Sequence, residues 1–263
     1  MHPLTQYIRD KRKTQDILLM THVVYGYPSI EDSLSIMRSL LNQGADILEV
    51  QFPFSDPVAD GPTITTACHH ALENKPRLEQ LLADIEMLSK EFPKQHILLM
   101  SYLNPLLQFG LDNLANTMKN RGISSMIIPD ILQDSYPLLA PLTEQSISPI
   151  WLVTPDMSDE RIKQLKQRAD GMLYCVSRKG VTGKQQTDSV DKSATIQIGN
   201  YLNRVKGLTE LPLAMGFGIR TREDVKALIG HADVAIAGSV FLDAYNAGGI
   251  KAVGEQVTSL KSA

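Results

Sequence analysis

One pattern of apolar and polar positions recurs along the chain: a short, nearly continuous apolar run, a turn, then a stretch with apolar residues at helical spacing. Residues 18–24 form the first run. After it, Ile30, Leu34, Met37 and Leu41 fall on one stripe of an amphipathic helix. Ser29 stands just ahead of that stripe with Asp32 three residues on, a shortened capping box, and Gly44 follows as a terminating glycine. Further strands are expected at 47–52, 97–102, 125–129, 149–153, 172–176, 213–215 and 234–237. Helical stripes lie between them, such as Leu78, Leu81, Leu82, Ile85 and Leu88, or Ile162, Leu165 and Ala169. Pro137 and Pro141 interrupt the helix after the fourth run, and Thr221 caps the helix after the seventh.

Apolar strands alternating with helices predict a parallel sheet covered on its outer face. Eight such units, with no composition break among them, predict one (β/α)8 TIM-barrel domain over 1–263, with extra N-terminal and loop helices. The alternative is an open, doubly wound sheet. That fold would place a G-x-G-x-x-G fingerprint after the first strand, where this chain has Gly26-Tyr27-Pro28.

Charge and cysteine content narrow the function. The net charge is −3, and no stretch gathers Lys or Arg into a stripe, which argues against nucleic acid. Phosphate remains open, because backbone N–H groups bind it without net positive charge. Cys68 and Cys175 are too far apart for a C-x-x-C site and read as buried, reduced thiols. No two histidines have ligand spacing on one strand or helix, and His69-His70 reads as a solvated helix face, so no metal is expected. Neither a signal-like N-terminus nor an apolar run long enough to span a membrane occurs, which predicts a cytoplasmic protein.

In a barrel of this kind, chemistry gathers at the C-terminal ends of the strands. After the seventh comes Gly216-Phe217-Gly218-Ile219, and after the eighth Gly238-Ser239, with a helix to follow. Glycines there let backbone N–H groups approach a ligand, and the helix directs its positive end the same way, which predicts a phosphate site. The sixth strand leads into Ser177-Arg178-Lys179-Gly180-Val181-Thr182-Gly183 and a polar stretch to Asp191, long enough to predict a lid. A Schiff-base role for Lys179 is the competing reading; such a lysine belongs on a strand, desolvated, not in a polar loop.

The densest signal surrounds the second strand. Glu49 interrupts an apolar run, so it must face the barrel mouth or be paired, and burial there would raise its pKa toward acid–base use. Asp60 follows on a loop bounded by Pro57, Gly61 and Pro62, and two carboxylates in different surroundings can divide acid and base roles. Spacing alone leaves a structural ion pair open for Glu49 and turn chemistry open for Asp56 and Asp60. Tyr102, Asn104, Asp130 and Tyr174 belong to the same rim.

The run Pro53-Phe54-Ser55-Asp56-Pro57-Val58-Ala59-Asp60-Gly61-Pro62 closely resembles the signature of tryptophan synthase α subunits. Tyr102-x-Asn104-Pro105, Gly180-Val181-Thr182-Gly183, Gly216-Phe217-Gly218-Ile219 and Gly238-Ser239 follow in the same order, so the resemblance covers essentially the whole chain. It implies retro-aldol cleavage of indole-3-glycerol phosphate to indole and glyceraldehyde 3-phosphate. It further implies Glu49 as the acid/base, Asp60 on the indole N–H, Tyr174 beside Glu49, and Thr182 reaching Asp60 from a closed lid. Gly183, Phe217, Gly218, Gly238 and Ser239 match the phosphate binders, and Met100, Ile127 and Ile236 match apolar positions around the indole, with Tyr102 on the same rim. No cofactor is implied for this chain; pyridoxal phosphate belongs to the β subunit, the implied partner in an αββα complex. Four positions depart from the family pattern: Gln51 stands for glycine, His22 for an aromatic, Tyr27 for aspartate and Leu132 for proline. The first two bear on the pocket, the last two on the partner surface. A weakened α-like activator of a β subunit, a stand-alone indole-releasing lyase and another phosphate-binding barrel enzyme are the rival functions.

Overall fold

Each strand's residues go alternately to two different cores, which is why the runs are apolar throughout rather than at every second position. The computed structural model describes residues 1–165, 168–177, 192–216 and 218–262. Its strands are β1 (Leu18–Val24), β2 (Ile47–Gln51), β3 (His96–Met100), β4 (Ser125–Ile127), β5 (Ser148–Val153), β6 (Leu173–Val176), β7 (Leu213–Gly216) and β8 (Val234–Ala237). They close into a barrel in chain order, every neighbouring pair parallel, with β8 returning to β1. Leu19, Leu48, Leu99, Met126, Leu173 and Met215 face outward under the helices, whereas Met20, Ile47, Leu98, Ile127, Ile150 and Val234 fill the barrel.

The sequence signals act as expected at the helix after β1, Ile30–Asn42. The Ser29 side chain accepts from Asp32 N at 3.0 Å, and Gly44 takes the positive φ of 96° that ends it. The segment after β4 divides where its prolines require. A 3-10 turn runs Gln133–Leu139 around Pro137, which has no N–H to give, and a short α-helix, Ala140–Glu144, begins with Pro141 at its tolerated first turn.

Helix Pro3–Lys11 closes the N-terminal end of the barrel. Its Leu4 and Ile8 join the interior cluster, and Thr5 donates to Gly171 O at 2.7 Å. The opposite end carries the loops that follow each strand.

His96 sits near this floor with Nε2 2.9 Å from Ser125 Oγ and its ring 5.9 Å from that of Tyr7. Burial, with the nearby His2 adding to it, pushes its pKa down to about 4. The fold therefore favours neutral imidazole: stability is full above the ordinary value near 6.5 and is lost as pH falls toward about 4. Denaturant titrations are expected to show a loss of about 3 kcal/mol over that window, reduced in His96→Gln. An equally steep loss in the variant would contradict the assignment.

Candidate active site at the barrel mouth

The register of β1 and β2 sets the first contact. His22 pairs with Glu49 across the ladder, and both point inward with Met20 and Ile47 below them. Glu49 is 3% exposed and His22 5%, with Nδ1 3.3 Å from Oε1. Glu49 is thus both inward-facing and paired, as an acid interrupting an apolar strand must be. Among the described residues its other oxygen, Oε2, has no hydrogen-bond partner; nor have His22 Nε2 and Gln51 Oε1. Burial works to lower the His22 pKa, but Glu49 in contact, then Asp60 and Gln51, outweigh it and raise the value.

Asp60 is delivered by the loop after β2, which turns through Asp60 N to Pro57 O at 2.9 Å. Gln51 Nε2 donates to its Oδ2 at 2.7 Å and Tyr102 OH donates to the same oxygen at 3.0 Å. Tyr102 OH also accepts from Ala59 N at 3.0 Å, so one phenol pins the loop twice. Burial raises the Asp60 pKa, against the pull of His22, Gln51 and Tyr102. Burial likewise lifts Tyr174 well above the ordinary phenol value, with the Glu49 and Asp60 charges adding to it, so this hydroxyl acts only as a neutral group.

Tyr174 explains one rim glycine. A Cβ at Gly216 would lie 3.1 Å from its ring and from its hydroxyl oxygen, so the glycine makes room for the phenol beside Glu49 and Asp60. Gly218 differs: it needs its positive φ of 75° and has open space where a side chain would go. Gly238 precedes the helix Ser239–Lys261, and its backbone lies against the His22 side chain, a Cβ there meeting His22 Cβ at 3.5 Å. The backbone at Gly238 and the paired carboxylate therefore share one mouth. Met100, Ile127 and Ile236 are buried in the interior cluster beside Tyr102 and Tyr174.

Thr182, Gly183 and Phe217, with Lys179 and the whole segment 178–191 predicted as a lid, lie outside the described residues. Asn104 is exposed, and Asp130 accepts from Leu103 N at 2.9 Å, a capping role for helix Leu103–Phe109. Sequence reasoning marked His22 and Gln51 only as departures from a pattern. Their contacts to Glu49 and Asp60 were missed, although three polar residues at alternate inward positions of adjacent strands were a signal. Among the described residues no group of three or more His, Cys, Asp or Glu could hold a metal, and no helix is long and apolar enough to cross a membrane. Cys68 and Cys175 are buried free thiols, both pushed up to about 12 by burial.

Comparison with known proteins agrees with this geometry. A family model described as tryptophan synthase alpha chain matches residues 8–261. The tryptophan synthase alpha chain of Desulforapulum autotrophicum is 38% identical over 98% of this chain and 99% of that one. That of Aquifex aeolicus is 33% identical over 99% and 98%. Among solved structures, tryptophan synthase from Mycobacterium tuberculosis superposes with a TM-score of 0.89 at 29% identity, covering 99% of this chain and 97% of that chain. The alpha subunit from Legionella pneumophila gives 0.87 at 27% identity, covering 100% and 98%.

Proposed function

The chain belongs to the tryptophan synthase alpha chain family, and we propose that it cleaves indole-3-glycerol phosphate to indole and glyceraldehyde 3-phosphate with Glu49 and Asp60 as its working carboxylates. The observation that carries this reading is their convergence at one barrel mouth, Glu49 with an unpartnered Oε2 and Asp60 fixed through Oδ2. The rival reading of a weakened activator finds no support in a broken site.

Cleavage needs one proton added at indole C3 and one removed from the side-chain hydroxyl. Protonation at C3 leaves the ring nitrogen positive. The electron pair of the breaking C–C bond then returns to the ring and quenches that charge, while the hydroxyl O–H pair becomes the aldehyde C=O. Glu49 gives the first proton and takes the second, so the sum is neutral. Asp60 accepts from the indole N–H and offsets the transient positive charge. Tyr174, uncharged, donates beside Glu49, and Met100, Ile127 and Ile236 wall the ring. Thr182 closes onto Asp60 from the lid. Phosphate rests on backbone N–H groups of Gly183, Phe217, Gly218, Gly238 and Ser239, helped by the positive end of the helix that Gly238 caps.

The whole of 1–263 serves as one cytoplasmic barrel domain in this reading, with no cofactor of its own. Its partner is a pyridoxal-phosphate β subunit in an αββα complex. Exposed apolar side chains crowd the loops that face it: Val58 after β2, Leu107 after β3, and Leu132 and Leu138 after β4.

The test is product analysis of the purified chain with indole-3-glycerol phosphate. One indole and one glyceraldehyde 3-phosphate per substrate are expected, and no indole with or without a β subunit would refute the reading. Gly238→Asp sets a like charge against the phosphate where only ordinary contacts surround a Cβ. It is expected to weaken glycerol 3-phosphate binding about tenfold or more in calorimetry while keeping Tm, since one misplaced charge costs on the order of 1.4 kcal/mol or more. Unchanged affinity would move the phosphate elsewhere.

A further inference from the structure

The middle of the barrel is apolar, and at its mouth one imidazole is buried against the acid/base carboxylate. An imidazole there that merely filled space would cost the fold the burial of two ring nitrogens. Its placement is more specific than that. Nδ1 meets Glu49 Oε1 at 3.3 Å and leaves Oε2, the oxygen without a partner, to the substrate. On the far side Gln51, inward-facing on β2, donates to Asp60 at 2.7 Å. His22 thus braces Glu49 and Gln51 braces Asp60, and neither takes Glu49 Oε2.

We propose that His22 is a positioning residue for Glu49: its Nδ1–H holds Oε1 and stores the proton that Glu49 gives to, and recovers from, the substrate. The inference rests on the lyase reading and deepens it. In the working state the His22–Glu49 pair holds one proton. Nδ1 yields it to the Glu49 carboxylate as a proton goes to indole C3, and the proton taken from the substrate hydroxyl returns to the pair. Nothing is gained or lost over a turnover.

The charges facing His22 agree. Glu49 and Asp60 both favour its cation, and Gln51 adds to them, which together overcome burial. Tyr174 on β6 and Tyr102 after β3 are neutral phenols whose ionisation is suppressed, burial being the main cause, and Cys68 near Asp60 is a neutral thiol. On the β8 side the neighbour is Gly238, which carries no charge. Among the described residues the His22–Glu49 pair is therefore placed to exchange a proton with substrate.

The test compares the full chain with His22→Phe and His22→Asn, measuring kcat and KM for indole release against pH. Loss of the shared proton gives the parent an alkaline limb in kcat/KM. In both variants the imidazole that carries the shared proton is gone, so the limb is expected to move toward acid. KM and Tm change little. His22→Asn, which keeps a donor toward Oε1 but cannot carry charge, is expected to retain more of kcat at its optimum than His22→Phe. In parallel, the imidazole ¹⁵N signal lost in His22→Phe identifies His22. It is expected to titrate above the free-imidazole value in the parent and below it in Glu49→Gln, where the larger opposing contribution, burial, has lost its chief counterweight. A pH profile unmoved, or moved toward alkali, in both variants, or an imidazole titration indifferent to Glu49→Gln, would overturn the proposal. A parent chain that releases no indole would overturn the lyase reading instead, and the ¹⁵N titration would still decide the pairing.

Discussion

Glu49→Gln is expected to remove nearly all indole release while leaving fold and phosphate affinity in place. A positioned acid/base contributes roughly 10²–10⁴-fold, and in the proposed reaction this one serves two proton transfers, so the loss belongs at the upper end of that range. The amide matches the carboxylate in size, so the barrel interior above Met20 and Ile47 keeps its packing. It also keeps an acceptor oxygen for His22. The substitution thereby separates chemistry from architecture. Single-turnover measurements isolate the cleavage step, and KM is expected to stay within a few-fold of the parent because the lost interaction belongs to the transition state. A variant keeping most of the parent kcat would remove Glu49 from the mechanism.

Asp60→Asn carries the second large effect, about 10²-fold in kcat with a much smaller change in substrate binding. The indole ring is neutral in the ground state and positive after protonation at C3, so the Asp60 charge matters chiefly at the later stage. An asparagine oxygen still accepts from Gln51 and Tyr102, which now donate to Oδ2 at 2.7 and 3.0 Å, so the loop stays anchored. In the parent, the same charge gives an acid limb. Burial raises the Asp60 pKa, so kcat is expected to begin falling at a higher pH than an ordinary aspartate would allow. An effect of Asp60→Asn confined to KM would reduce the residue to ground-state binding.

The architecture was open to sequence reasoning because two cores on two faces of every strand leave a continuous apolar run, and helices leave a 3.6-residue stripe. Both patterns survive in the plain order of residues. Strand ends were less legible: the ladder continues past β2 with Phe52 N donating to Met100 O at 2.8 Å, yet Pro53 stops regular pairing. At the mouth, Glu49 was conspicuous because a single acid in an apolar strand demands a partner. Who the partner is depends on register, the pairing of His22 with Glu49 rather than with a neighbour two residues away, and register is a property of the closed sheet. Tyr102 shows the same limit. Its motif marked it as a rim residue, but its full burial and its double hold on Ala59 and Asp60 follow from how the loop folds back over β3. Gly216 was read for its backbone, and only the approach of Tyr174 to 3.1 Å of a would-be Cβ shows that its missing side chain is what the site uses.

The central claim is that one substrate spans the mouth from the carboxylates to the end of β8, with its hydroxyl at Glu49, its indole N–H on Asp60 and its phosphate on the backbone at Gly238 and Ser239. A crystal structure of Glu49→Gln with indole-3-glycerol phosphate bound tests it in one measurement. Intact substrate is expected, with the indole nitrogen in hydrogen-bond distance of an Asp60 oxygen, the side-chain hydroxyl against residue 49, and phosphate oxygens on the N–H groups that open the helix Ser239–Lys261. Substrate held elsewhere, or bound in the mouth with its phosphate toward Asp60 and its ring at Gly238, would contradict it.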